Sequence, residues 1–221
     1  MGEYEQNAHI VALWTCSPAR IRARSGAMRK QPRQARSRAT IEAILQAAAH
    51  ILGERGWQGL TTNAVAELAG VSIGSLYQYF PNKLALVEAV RQRHFDDVLA
   101  VLRAAADARL PRPHRIEALV DGMIGVHSRY PAAHRVLLEE TPRAREAGAL
   151  HDRFATMLHQ RYEAIVRVNA HGPVAAHRRL SARVLAAAVA GVVHDAASQG
   201  TLQSESLRLE LLRLVSSYLQ T

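Results

Sequence analysis

Cysteine is almost missing from this chain: Cys16 is the single one among 221 residues. That excludes an intramolecular disulfide and a cysteine-based zinc cage, and it fits a reducing cytoplasm. Lysine is nearly absent too. Lys30 and Lys83 are the two, so 26 of the 28 basic residues are arginine, and the formal charge of +9 rests on them. Arginine and alanine richness of this kind follows from a GC-rich genome, so total charge is a weak functional signal. No apolar run approaches the roughly 18 residues that mark a membrane span. The longest, Val184 to Val193, is alanine-rich and bounded by Arg183 and His194-Asp195, which predicts a buried helix. Ala8–Trp14 is briefly apolar but follows Glu3 and Glu5, where a secretory signal would carry positive charge. Alternating strand patterns and internal repeats are also lacking, so the composition points to an all-α protein.

What the chain does have is a dense local pattern from Leu60 to Lys83, LTTNAVAELAGVSIGSLYQYFPNK. Thr61 and Thr62 are suited to cap a helix running to about Ala69, since a threonine hydroxyl accepts from an orphaned backbone N–H. Gly70 supplies a left-handed residue that ends it. Ser72 caps the next helix, with Val71 and Leu76 at the spacing of a hydrophobic staple. Phe80 precedes Pro81 and is disfavoured in helical geometry, so the second helix ends there. Two short helices joined by a glycine turn form a helix-turn-helix, whose second helix enters the major groove of DNA.

Charge is distributed unevenly. Residues 1–40 hold eight basic residues against Glu3 and Glu5, whereas residues 41–90 hold Arg55 and Lys83 against Glu42, Glu54, Glu67 and Glu88. The motif is therefore not basic, and attraction to phosphates has to come from the arm before it and from helix N-termini. Residues 1–32 read as a disordered basic arm, and Met28 opens a stretch that would make a natural start, leaving 1–27 as an extension without a structural role. A stripe of Ile41, Ile44, Leu45, Ala48, Ile51 and Leu52 predicts a first helix, closed by Gly56 and Gly59, with Trp57 and Leu60 packed under it. Residues 33–81 then form the DNA-binding domain. Residues 82–221 form a helical domain, with a long helix capped by Asn82 and further helices near 114–129, 131–140, 146–170, 175–199 and 204–219.

The run TTNAVAELAGVSIGSLYQYFPNKLAL resembles the TetR/AcrR family of bacterial transcriptional regulators, strongly over about residues 36–90 and beyond that only in general helical plan. The resemblance implies an N-terminal three-helix DNA-binding domain and a C-terminal helical domain that dimerises and binds a small effector. Carried over by position, Thr62, Asn63, Ile73, Gly74, Ser75, Tyr77, Gln78 and Tyr79 face DNA, and Lys83 contacts a phosphate. Val65, Leu68, Leu76 and Phe80 are packing positions. Gln78 departs from the aromatic or histidine common there, and a glutamine can pair bidentately with adenine. Gly74 keeps bulk away from the backbone. Tyr77 and Tyr79 either reach phosphates and thymine methyls or simply pack within the head.

In the second domain, Met123, His127, Phe154, Met157, Arg161, Tyr162 and His194 are candidate effector contacts, with plain core packing as the other reading. The eleven histidines show no metal-ligand spacing, and no nucleophile–base set suggests an enzyme, so neither metal nor cofactor is expected. Ala186, Ala187, Ala190 and Gly191 with Leu207, Leu211, Leu214, Val215 and Tyr218 predict a homodimer through the last two helices. The expected function is a cytoplasmic regulator, a repressor released from a pseudo-palindromic operator by an effector. The alternative is a DNA-binding protein that dimerises or recruits a protein partner without one.

Overall fold

The computed structural model describes residues 35–129 and 145–220. Among them every regular element is a helix: α1 Ala35–Gly59, α2 Thr62–Leu68, α3 Ile73–Tyr79, α4 Lys83–Ala105, α5 Arg112–Ser128, α6 Arg145–Asn169, α7 Gly172–Ala176, α8 Arg178–Ser198 and α9 Glu205–Tyr218. The expected arm at 1–32 and helix at 131–140 lie outside the described residues. Contacts divide the chain into two units, the first including the described residues 35–96 and the second including Asp97–Ser128 and the described residues from Gly148 onward.

The first unit is built around the predicted stripe of α1. Ile44, Ala48 and Leu52 are fully buried and meet Leu60, Val65, Leu76, Phe80, Leu86 and Val87 in one cluster, against which Leu45 and Trp57 pack. The apolar positions recur at helical spacing, so one side of α1 is buried along its length. Gly56 does not close α1 but breaks it, at φ 64° and ψ −171°, and one further turn carries the chain to Gly59. Asn82 caps α4, accepting from Ala85 N–H at 2.9 Å.

In the second unit α5 packs against both α8 and α9, and α8 against α9. Ile116, Leu119, Val120 and Met123 of α5 are buried, as are Leu185, Val189 and Val193 of α8 and Leu211 and Val215 of α9. Along α6 the buried side chains are Phe154, Leu158, Tyr162, Ile165 and Val166. At Gly122 α5 lies close against α4: a Cβ there would stand 2.5 Å from Val101 Cγ1, so no larger residue fits without displacement. The helix expected over 175–199 is two, because the backbone turns at His177 (φ −99°, ψ 32°) between α7 and α8. By length and composition alone α8 could cross a membrane, yet its buried side is the one packed on α5 and α9.

That packing divides the expected dimer stripe. Ala186, Leu211 and Val215 are turned into the unit's own core, whereas Ala187, Gly191 and Leu214 of the same set are exposed, and Leu180, Val184 and Leu209 are further exposed large apolar side chains of α8 and α9. Both helices carry apolar residues on two sides, and periodicity does not say which side faces inward.

The end of α6 is held by arginines from the first turn of α5. Arg115 is 9% exposed and donates from Nε to Asn169 Oδ1 at 2.9 Å, from Nη1 to the Leu110 carbonyl at 2.5 Å and from Nη2 to the Val168 carbonyl at 2.9 Å. Arg112 donates to the Asn169 carbonyl at 3.2 Å and the Ser216 carbonyl at 3.4 Å. Asn169 in turn donates to the Ile165 carbonyl. Helix C-termini leave carbonyls without intrahelical donors, and here two guanidinium groups supply them. Arg115→Ala removes three charge-assisted bonds and leaves their acceptors buried, so we expect a loss of about 3 kcal/mol, read by urea denaturation. A change below about 0.5 kcal/mol would show that water replaces the guanidinium.

Candidate functional site

The turn between α2 and α3 is closed by its own backbone. Gly70, at φ 65°, donates to the Glu67 carbonyl at 3.1 Å, and Val71 N–H reaches back to the Ala66 carbonyl at 3.0 Å. This pair of bonds is the Schellman motif, which needs a left-handed residue at Gly70. Thr61 caps α2 by accepting from Ala64 N–H at 3.2 Å. Ser72 caps α3, accepting from Ser75 N–H at 3.1 Å, with its hydroxyl 2.8 Å from that of Ser75. Caps at both helices and a Schellman turn between them fix the direction of α3.

On the face so formed, Asn63, Ile73, Gly74, Tyr77 and Gln78 are exposed and Thr62 and Ser75 are partly so. The structure brings Thr62 and Tyr77 together: their hydroxyl oxygens are 3.1 Å apart, linking the starts of the reading surface across the two helices. Tyr77 is 42% exposed, whereas Tyr79 is 8% exposed and belongs to the head core. The ring of Tyr79 is therefore packed within the head, the second of the two readings of that residue. Two residues apart on a helix, Tyr77 and Tyr79 point in directions about 200° apart, so one faces out and the other in. Leu68, expected to pack, is instead 52% exposed.

Lys83 also has partners within the head. Its ammonium donates to the Trp57 carbonyl and lies 3.9 Å from the centre of the Trp57 ring. Burial pushes its pKa below the ordinary lysine value, while the carbonyl and the negative ring face favour the charged form. This contact ties the start of α4 to the end of α1, and no sequence signal pairs residues 26 positions apart.

Gly74 has no reason in the packing of this chain. A Cβ there would meet nothing nearer than Ser72 Oγ at 3.9 Å, an ordinary contact. Glycine inside a helix costs about 0.5–1 kcal/mol relative to alanine, so an exposed glycine with open space around it leaves room for something outside the chain.

In the second unit the candidates separate. Met123, His127, Phe154 and Tyr162 are buried, Met157 is 40% exposed, and Arg161 is partly exposed. Phe154 and Tyr162 share the buried side of α6 with Leu158 at four-residue intervals. Met157 falls off that side. The structure brings His127 and His194 together, with ring centres 5.3 Å apart, and His127 Nδ1 lies 2.8 Å from the Met123 carbonyl oxygen. Burial lowers the pKa of His127, and burial together with the neighbouring His127 pushes His194 down to about 4, so both rings are neutral at physiological pH. The Tyr162 hydroxyl is buried with no hydrogen-bond partner among the described residues, and burial raises its pKa. Among the described residues no group of three or more histidine, cysteine or acidic side chains could hold a metal ion.

A capped helix-turn-helix followed by a separate helical unit defines a DNA-binding class of protein. Residues 44–90 match the bacterial regulatory proteins of the tetR family, and residues 111–219 match the tetracyclin repressor-like C-terminal domain. The chain belongs to the tetR family. Among its relatives, the HTH-type transcriptional activator FasR of Mycolicibacterium smegmatis is 31% identical over 96 residues, 43% of this chain and 44% of that protein. The HTH-type transcriptional repressor KstR2 of Rhodococcus jostii is 32% identical over 77 residues, 35% of this chain and 38% of that protein. These matches thus span less than half the length of either relative. A tetR-family regulatory protein from Rhodococcus RHA1 shares the fold at a TM-score of 0.60 and 20% identity, over 81% of this chain and 95% of that one.

Two substitutions check this geometry without any ligand. Gly74→Ala is expected to stabilise the protein by about 0.5–1 kcal/mol, measured as a higher urea midpoint; destabilisation would mean that glycine serves the fold itself. Tyr162→Phe removes a buried hydroxyl that bonds to nothing among the described residues, so a gain of about 1 kcal/mol is expected. A clear loss of stability would mean that a buried water satisfies it.

Proposed function

We propose that this protein is a homodimeric, sequence-specific DNA-binding transcriptional regulator, a repressor that leaves a pseudo-palindromic operator when a small molecule binds its second domain. The observation that carries the reading is the capped turn Ala69–Ser72, which holds Asn63, Ser75, Tyr77 and Gln78 on one outward face. Residues 33–81 form the DNA-binding domain in this reading, and residues 82–221 the effector and dimerisation domain. Tyr77 and Thr62 approach the backbone of the duplex, while Asn63, Ser75 and Gln78 meet base edges. Gly74 lets the DNA come close to α3. Tyr79 and Lys83 support the reading helix from behind rather than contact DNA.

Support for an effector comes from the buried Tyr162 hydroxyl, an unsatisfied polar group of the kind that natural cores rarely leave without a purpose. His127, buried, and His194, partly buried beside it, add neutral polar atoms to an otherwise apolar interior, so the effector is an uncharged molecule with hydrogen-bonding groups. Dimerisation uses α8 and α9 through the exposed Leu180, Val184, Leu209 and Leu214. The relatives are named as an activator in one case and a repressor in the other; repression is the simpler reading for a dimer that occupies its operator. Its place of work is the cytoplasm, where the DNA is.

A footprint of the purified protein on the DNA flanking its own gene tests this reading. A protected, nearly symmetric site is expected, lost in Tyr77→Ala and weakened in Gly74→Ala while both variants stay folded and dimeric. Diffuse binding with no protected site, or a footprint retained by Tyr77→Ala, would overturn the assignment of this face.

A further inference from the structure

α6 carries a group of charges that the fold does not use. Gln160, Glu163, Ala164 and Arg167 of α6, with Arg178 from the start of α8, line a cavity of about 290 Å³ in the second unit. These α6 positions stand roughly 100° to 200° around the helix from Tyr162, so the cavity is separate from the buried side and its hydroxyl. Gln160, Arg167 and Arg178 are exposed and Glu163 is half-buried, so the cavity opens to solvent.

Glu163 and Arg167 are four residues apart with the acid first, the spacing and order that best favour an ion pair on a helix. Yet neither they nor Gln160 and Arg178 make a hydrogen bond or ion pair with any described residue. Helical neighbours elsewhere in the unit do pair, Arg213 with Glu210 at 2.8 Å and Arg208 with Glu205 at 3.4 Å. Ala164, between Glu163 and Arg167, is too short to fill the space. Two guanidinium groups and a carboxylate therefore border one cavity without satisfying one another.

That polarity suits a zwitterion. Planar guanidinium groups offer paired N–H donors that match a carboxylate. Glu163 accepts from an ammonium group, and the Gln160 amide either donates to the one or accepts from the other. An anion alone would bring a second negative charge beside Glu163, and a cation alone would meet two like charges. Pockets for drug-sized ligands start at roughly 300 Å³, so the occupant is small. We propose that this cavity is a second ligand site, which takes a small α-amino acid with its carboxylate on Arg167 and Arg178 and its ammonium on Glu163. The proposal depends neither on the DNA-binding reading nor on an effector beside Tyr162.

Isothermal titration calorimetry of the full-length protein tests it, without DNA and at about 50 mM salt, where exposed charges are weakly screened. Three matched probes are used: L-norvaline carries both charges, pentanoate lacks the ammonium and butylamine lacks the carboxylate. Exposed ion pairs are individually weak, so a dissociation constant on the order of 1 mM is expected for L-norvaline. Pentanoate is expected to bind about 10-fold more weakly and butylamine not at all. Arg167→Gln and Arg178→Gln, both at exposed positions, are each expected to weaken L-norvaline about 10-fold. Glu163→Gln is expected to erase the preference, so that L-norvaline and pentanoate bind alike. Absence of L-norvaline binding up to about 50 mM overturns the proposal. Binding that both arginine variants leave unchanged also overturns it, since the probe would then sit elsewhere on the chain. Pentanoate bound as tightly as L-norvaline by the unmodified protein would overturn the assignment of a zwitterion. None of these outcomes bears on a DNA footprint, so the two readings stand or fall separately.

Discussion

A helix that stops inside a folded chain leaves backbone N–H and C=O groups without partners, and each must be met where it is. In an all-helical protein with short connections this constraint decides where every element points. The head meets it inside four residues. Val71 and Gly70 return bonds to Ala66 and Glu67 while Ser72 caps the next helix, so the end of α2 and the start of α3 are satisfied together at one angle. Tyr77 and Gln78 face outward because that angle is set. The second unit meets the same constraint with side chains, where Arg112 and Arg115 close the carbonyls at the ends of α6 and α9. One device is local and the other long-range, but each converts unsatisfied helix ends into fixed geometry.

Polar groups that the fold leaves unmatched stand out against that background. Most buried polar atoms are bonded, and the Arg115–Asn169 pair is a case in point, its guanidinium surrounded by acceptors. Tyr162 is the contrary case, with an equally buried hydroxyl that bonds to nothing among the described residues. The His127–His194 pair lies between these extremes: burial disfavours charge on both rings, and on His194 the neighbouring His127 adds to it. A core that carries such groups gives up some stability, which is reasonable where a ligand completes the set. In the head the corresponding departure is electrostatic, a DNA-reading surface whose own charges are acidic or already engaged.

Much of the fold was legible in the residues. The stripe Ile41–Leu52, the Thr61 and Ser72 caps, Gly70 and Asn82 all do in the structure what their chemistry implies, because each acts on neighbours within about four positions in the chain. The buried side of α6 was legible for the same reason. What the residues left open was of another kind: that Lys83 meets Trp57 within the head, that Tyr79 lies in the head core, and that Ala186 and Leu211 are turned inward.

Sequence by itself determined which segments are helical, where they stop and how the reading helix is aimed, since capping, glycine turns and 3.6-residue periodicity are short-range effects. Tertiary structure alone decided which side of a two-faced helix is buried and which partner a long side chain takes. Those choices depend on groups brought together across the chain: Lys83 with Trp57, His127 with His194, Arg115 with Val168. A helix with apolar residues on two sides has two nearly equal ways to face a core, and only the packing of the other helices against it removes the tie.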